Sequence, residues 1–301
     1  MAKMSFRHHY IRSPDRLLLH AVECGGGNSS CILIHGLGDN SAVWEEVTPP
    51  FAARYRTLVI DLRGHGESGW DPCGRYPIES YVRDINCLIE HLNVAPILLV
   101  GHSLGGNIAI RVAARWRHRI TGMIIVDFGP DLNSASLKHL HRQLRSAHHV
   151  YSSVTEYEAW LSSRQPLVGT ETLRRLAQSA VRRHADGTFL LKADPQTITA
   201  AENASGSDTR LSVLLASISC PVLVVRGLGS AVLPHQAALR MVEVLPNSRL
   251  QLVDGAGHAA MIDNPQGFID GVVPFLRRQE ATSMLQSKDS MSGAPICQSL
   301  L

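Results

Sequence analysis

Short apolar runs alternate along most of the chain with longer stretches in which apolar residues recur every three or four positions. The runs 17–22, 31–34, 57–60, 97–100, 122–126, 222–225 and 250–253 are of strand length and rich in Leu, Ile and Val. Such near-continuous apolar runs predict strands buried on both faces. The intervening periodicity predicts helices at 41–55, 78–91, 105–115, 235–244 and 265–278. This alternation points to the α/β class: a mostly parallel sheet covered by helices on both faces. The interval 129–215 breaks the pattern, because segments such as SVTEYEAWLSSRQP and ETLRRLAQSAVRRHADG are helical and charged and contain no core strand. It predicts a helical cap inserted into a core built from 1–128 and 216–279. The stretch 280–301 is Ser-rich and weakly periodic and reads as a disordered tail.

Composition narrows the function classes. Among 301 residues, 45% are hydrophobic and 18% charged, enough apolar material for a full core and unlike a disordered chain. The net charge of +3 is not gathered into a basic run, which argues against nucleic acid as a partner. No apolar stretch approaches the roughly 20 residues of a membrane span, and the start lacks a secretory apolar region, so a cytoplasmic location is expected. Six cysteines occur without a CxxC pair, which predicts reduced, mostly buried thiols and neither disulfide framework nor zinc site. His8 and His9 fall in what reads as a mobile start, and His139, His141, His148, His149 and His184 read as solvated residues among cap arginines. Ligand spacing is lacking throughout, so no metal is implied. Glycines in HGLG and DLRGHGES match no dinucleotide or phosphate-cradling spacing, so no cofactor is expected.

The chemistry concentrates after the predicted strand at 97–100. There the chain reads Gly101-His102-Ser103-Leu104-Gly105-Gly106 and enters a helix, the G-x-S-x-G turn in a strand-to-helix setting. A reversal that sharp forces the serine into a strained backbone conformation and leaves no room for side chains at the flanking glycines. Its hydroxyl then projects above the sheet beside a helix N-terminus, where backbone N–H groups favour a developing anion.

Three further motifs accompany it in order. His35-Gly36-Leu37-Gly38-Asp39 follows an early strand, Asp61-Leu62-Arg63-Gly64-His65-Gly66-Glu67-Ser68 follows the next, and Gly255-Ala256-Gly257-His258 lies near the end. With GHSLGG, these residues resemble the α/β-hydrolase superfamily over about 15–278. The resemblance implies an α/β-hydrolase fold, with Ser103 as nucleophile and His258, on a glycine-rich loop, as general base. It also implies an oxyanion hole from the backbone amides of Leu37 and Leu104. His35, His65 and His102 read as structural.

The acid departs from the common pattern. Many relatives carry a carboxylate in a stretch like R-G-x-x-S-D-V-L, whereas this chain reads Arg226-Gly227-Leu228-Gly229-Ser230-Ala231-Val232-Leu233, with alanine at that position. Asp127, at the end of the strand at 122–126, is the alternative. Some superfamily members take their acid there: thioesterase domains, certain cofactor-free ring-cleaving dioxygenases and the hydrolase acting on 2-(acetamidomethylene)succinate. The order Ser103, Asp127, His258 is preserved. An aspartate before Phe128-Gly129-Pro130 also suits a simple turn cap. Asp254 is a weaker candidate, and Asp39 and Asp61 read as loop braces.

The expected activity is therefore a serine hydrolase, esterase- or thioesterase-like, that cleaves a small-molecule acyl substrate through an acyl-enzyme. Two alternatives stay open: a ligand-binding or receptor-like protein that has lost turnover, and a cofactor-free oxygenase or lyase using the same pocket. A slight basic excess in the cap leaves room for a carboxylated substrate, although exposed arginines on cap helices more often form a solvated face. Trp44 and Trp160 suit either a pocket wall or the core. Oligomeric state is not indicated.

Overall fold

The computed structural model describes residues 5–204 and 209–292. In chain order, β1 (Arg7–Arg12), β2 (Leu18–Gly25) and β3 (Ser30–Ile34) lead through a 3-10 turn (Ser41–Val47) and α1 (Pro49–Ala52) to β4 (Arg56–Asp61). Then come α2 (Ile78–His91), β5 (Ile97–His102), α3 (Leu104–Arg115) and β6 (Ile120–Val126). Beyond β6 lie α4 (Ser134–Ser146), α5 (Val154–Arg164), α6 (Thr170–Ala180), the hairpin β7 (Val181–Arg183) and β8 (Phe189–Leu191), α7 (Pro195–Asn203) and α8 (Thr209–Ala216). The chain returns as β9 (Val222–Gly227), α9 (His235–Val244), β10 (Ser248–Val253), α10 (Ala260–Asp263) and α11 (Pro265–Ser292).

The main sheet has eight strands in the order β1-β2-β4-β3-β5-β6-β9-β10. Only the β1/β2 and β2/β4 pairings are antiparallel. Alternate residues along each central strand face opposite layers: Leu33, Leu98, Val100 and Ile124 join one core cluster, and Ile32, Ile34, Leu99 and Ile125 the other. Burial on both faces accounts for the unbroken apolar runs of the sequence, and each such side chain contributes about 1.5–3 kcal/mol. Register pairs Ile34 with Gly101, His102 with Val126 and Val126 with Val225. The loops leaving β3, β5, β6 and β9 therefore emerge together at the carboxyl edge of the sheet, where ligands bind in open α/β sheets.

The described residues between β6 and β9 add no strand to the main sheet. Tyr151, Tyr157, Leu161, Leu173 and Leu176 from this segment share a core cluster with Trp44 and α11. Polar contacts fasten its rim. Arg175 donates to the Ala42 carbonyl (2.8 Å) and pairs with Glu45 (3.1 Å) and Glu46 (2.6 Å). Lys192 pairs with Glu67 (2.6 Å), and the Tyr76 hydroxyl donates to Asp194 (2.6 Å).

Several expectations need correction. Residues 7–12 form an edge strand in place of a mobile start; only Ile11 of that strand is fully buried, so the apolar alternation that would have revealed it is missing. His8 and His9 are held by His20 (2.9 Å) and Glu23 (2.9 Å). The helix expected to stop at 278 runs to Ser292, and Glu280 in that extension pairs with Arg54 (3.3 Å). The rest of the expected tail, 293–301, lies outside the described residues. His141 is buried, not solvated. Cys24 and Cys31 are buried free thiols, whereas Cys73 is exposed.

His35 and His65 tie the loops after β3 and β4 together. The His35 Nδ1–H donates to the Gly36 carbonyl (2.7 Å), and its Nε2 accepts from the Leu62 amide (3.0 Å). His65 Nδ1–H donates to the Arg63 carbonyl (2.9 Å), and its Nε2 accepts from the Gly38 amide (3.1 Å). Burial, reinforced by the neighbouring His35, pulls His65 down to about 3. An unfolded chain would take a proton on this ring below roughly pH 6.5, which the folded ring resists. Protonation thus favours the unfolded state between those values, and the stability contributed by the neutral ring is complete above that window and declines as pH falls through it. Urea midpoints measured from pH 7 to pH 4 should drop, and His65→Gln should flatten that dependence; equal slopes in both proteins would count against the buried neutral ring as the source.

Candidate active site

Ser103 stands between β5 and α3 with φ 51° and ψ −115°, outside the regions that L-residues prefer. Its amide donates to the Val126 carbonyl (3.0 Å), and its carbonyl accepts from the amides of Gly106 (2.9 Å) and Asn107 (3.1 Å). The flanking glycines make this turn possible. A Cβ on Gly101 would lie 2.2 Å from the Gly105 carbonyl oxygen, and one on Gly105 would lie 2.2 Å from that of Ile34. Both obstacles are backbone and cannot swing aside. Leu104, the first residue of α3, has an amide without an intrahelical acceptor, as every helix start does. Leu37 follows Gly36, whose missing side chain lets the loop after β3 rest on His102: a Cβ there would meet its Nδ1 at 2.7 Å.

Asp127 directly follows β6, with φ 48° and no solvent exposure. Among the described residues, the positive-φ positions other than glycine are Arg16, Asn93, Ser103 and Asp127, so two of the four are candidate site residues. Such backbone costs on the order of 1–3 kcal/mol per residue and must be held by its surroundings. The Asp127 amide donates to the Val225 carbonyl (2.8 Å). Its Oδ1 lies 3.0 Å from His258 Nδ1 and accepts from the Ser230 hydroxyl (2.7 Å), while Oδ2 accepts from the Gly227 amide (3.3 Å). Asp127 thus caps a backbone amide and also meets the imidazole. A carboxylate can only accept, so Nδ1 carries the proton, and in the neutral ring Nε2 keeps its lone pair. His258 Nε2 is buried and has no hydrogen-bond partner among the described residues. The Ser103 hydroxyl is not joined to it by a hydrogen bond here, and such contacts often tighten only with substrate bound.

The loop bearing His258 is fixed from two sides. Its carbonyl lies 3.0 Å from His102 Nε2, and the two rings stand 4.8 Å apart between centroids. The Gly257 amide donates to Asp263 (2.8 Å), a carboxyl that burial pushes upward. On its other side His102 Nδ1 is 3.7 Å from Asp39. Burial alone would raise the Asp39 carboxyl, but the His102 imidazole overcomes this and holds it below its ordinary value. His102 therefore links the nucleophile, the base loop and the loop after β3.

The remaining aspartates are braces or exposed. Asp61 accepts from the Ser41 amide (2.6 Å), the Glu67 amide (3.0 Å) and His20 (2.7 Å). Against the upward push of burial, the His20 hydrogen bond and these amides hold it at about 2. Asp254 is exposed in the turn after β10. Trp44 is fully buried against Phe268, and Trp160 stacks on Tyr157 (5.8 Å). The sequence reading did not single out Ser230 or Asp263, and it took His102 as structural without its link to the His258 loop. Ser230 was within reach of the sequence, because it adjoins the alanine that replaces the usual acid.

Residues 32–265 match the family described as alpha/beta hydrolase fold. The chain belongs to that family. A curated relative of this α/β hydrolase, 2-(acetamidomethylene)succinate hydrolase of Mesorhizobium japonicum, is 27% identical over 277 residues, covering 91% of this chain and 98% of that protein. Pimeloyl-[acyl-carrier protein] methyl ester esterase of Edwardsiella ictaluri is 27% identical over 266 residues, 84% of this chain and 95% of its own length. The crystal structure of E-2-(acetamidomethylene)succinate hydrolase superposes with a TM-score of 0.82 at 26% identity, covering 91% of this chain and 100% of that one. These relatives are named hydrolases, and this chain is a hydrolytic member of the fold. No helix among the described residues is long and apolar enough to cross a membrane.

Gly105→Ala should lower the urea midpoint by the equivalent of about 1–3 kcal/mol, the usual cost of overpacking, and slow any reaction of Ser103. Unchanged stability and reactivity would show that the turn yields where the geometry says it cannot.

Proposed function

We propose that this protein is a serine hydrolase that cleaves a small-molecule carboxylic ester, thioester or related acyl bond through an acyl-enzyme. The observation that carries the reading is the contact between His258 Nδ1 and the fully buried Asp127. It supplies the partner that Ala231 cannot. A binding protein derived from this fold has no need of a buried carboxylate aimed at the imidazole, so the contact favours turnover over the receptor-like alternative. Serine at the turn, with a proton-accepting Nε2 available, favours acyl transfer over oxygenase or lyase chemistry.

In this reading Ser103 Oγ attacks the acyl carbonyl as His258 Nε2 takes its proton. Asp127 keeps the imidazole in the tautomer that can accept and stabilises the imidazolium that forms. The negative charge on the tetrahedral oxygen falls to the Leu37 and Leu104 amides. His258 then protonates the leaving group, and a water deprotonated at the same Nε2 releases the acid. Residues 129–215 serve as the cap over this centre and select the acyl group.

A fluorophosphonate probe followed by intact mass should label the wild-type protein once and leave Ser103→Ala unlabelled. Asp127→Asn should slow hydrolysis of p-nitrophenyl acetate by about 10⁴-fold, as when a triad histidine loses its orienting acid. Wild-type rates in the asparagine variant would remove Asp127 from the mechanism.

A further inference from the structure

We propose that Ser230 is a positioning residue for catalysis, its hydroxyl proton locking the Asp127 carboxylate in the orientation that faces His258. The proposal rests on the triad reading above and assigns a role to the loop whose usual acid is missing.

Hydrogen-bond accounting directs that proton. Ser230 Oγ accepts from the Val232 amide (3.2 Å) and the Leu233 amide (3.3 Å), which occupies its lone pairs. Its one O–H is left for Asp127 Oδ1 at 2.7 Å. That oxygen is the one lying 3.0 Å from His258 Nδ1, so both groups converge on a single atom. The opposite oxygen is held only by the longer Gly227 contact of 3.3 Å. With Asp127 wholly buried, the protein itself must supply the donors that keep the carboxylate from turning about its Cβ–Cγ bond.

The loop is built to keep this donor in place. Arg226, itself buried, donates through Nε to the Leu233 carbonyl (2.7 Å) and through Nη1 to those of Gly227 (2.9 Å) and Leu228 (3.0 Å). Its Nη2 donates to the Ser230 carbonyl (2.8 Å). One guanidinium thus clamps both ends and the middle of 227–233. The loop that supplies the carboxylate in many relatives supplies here the hydroxyl that aims a carboxylate from the neighbouring strand.

The test compares Ser230→Ala, Ser230→Thr and Ser230→Cys with wild type and Asp127→Asn, by p-nitrophenyl acetate kinetics and the downfield proton resonance of the His258 Nδ1–H. Ser230→Ala should lower kcat roughly ten- to a hundredfold, the usual effect of losing a hydrogen bond to a charged group, with KM within about twofold. The resonance should shift or broaden. Threonine, which keeps the hydroxyl, should restore most of kcat and the resonance. Cysteine keeps the volume with a feeble donor and should report the same loss even if the alanine variant does not fold. Wild-type kcat and resonance in the alanine or cysteine variant, beside a collapsed Asp127→Asn, would refute the role of Ser230 and leave the triad standing. Equal losses in all three Ser230 variants with an unmoved resonance would make Ser230 a fold residue only. Full activity in Asp127→Asn would sink the triad reading itself, and the positioning role with it.

Discussion

A carboxylate with no access to water depends on the protein for every hydrogen bond it makes, and the surroundings of Asp127 are organised by that requirement. The last residue of β9 presents a backbone amide, the loop after it a hydroxyl, and the loop after β10 an imidazole. Removing any one leaves a buried polar atom short of partners, at a cost of about 1–3 kcal/mol. The same contacts that would orient a base also knit β6, β9 and β10 at their carboxyl ends. Stability and chemistry draw on one set of bonds. The left-handed backbone of Asp127 and Ser103 is part of that arrangement, since strain at both positions is held in place by the parallel pairings on either side.

The parallel core was readable from the sequence because strands buried on both faces leave unbroken apolar runs, as at 97–100 and 222–225. The same logic hid β1, whose Arg7-His8-His9-Tyr10 edge faces solvent and offers one buried side chain. The hairpin β7–β8 was hidden by its length of three residues a strand. At the site, the glycine-flanked serine and the late histidine announce themselves because their turns tolerate few residue types. The acid did not, since an aspartate before a Phe-Gly-Pro turn suits a cap as well as a triad, and only proximity across 131 positions of chain separates the two. Ser230 was less legible: it adjoins the alanine that replaces the usual acid, but its importance comes from which atom its hydroxyl reaches.

The histidines show how burial assigns roles to one residue type. His65 is driven neutral by burial beside His35 and serves as a hydrogen-bonding strut. His20 meets a carboxylate that three donors hold ionised. His102 stands between Asp39 and the His258 carbonyl, so the loops after β3 and β10 are referenced to a single ring beside Ser103. Each imidazole is placed by what its nitrogens touch, and among the described residues His258 Nε2 and His102 Nδ1 are buried without a hydrogen-bond partner.

Asp127 and His258 become neighbours only after β9 has slotted in beside β6, and the whole of 129–215 must be traversed before that pairing can form. Closing so long a loop is an entropic toll met late in folding. In the proposed mechanism, a chain in which β9 has not yet paired with β6 lacks the Asp127–His258 contact that would activate Ser103.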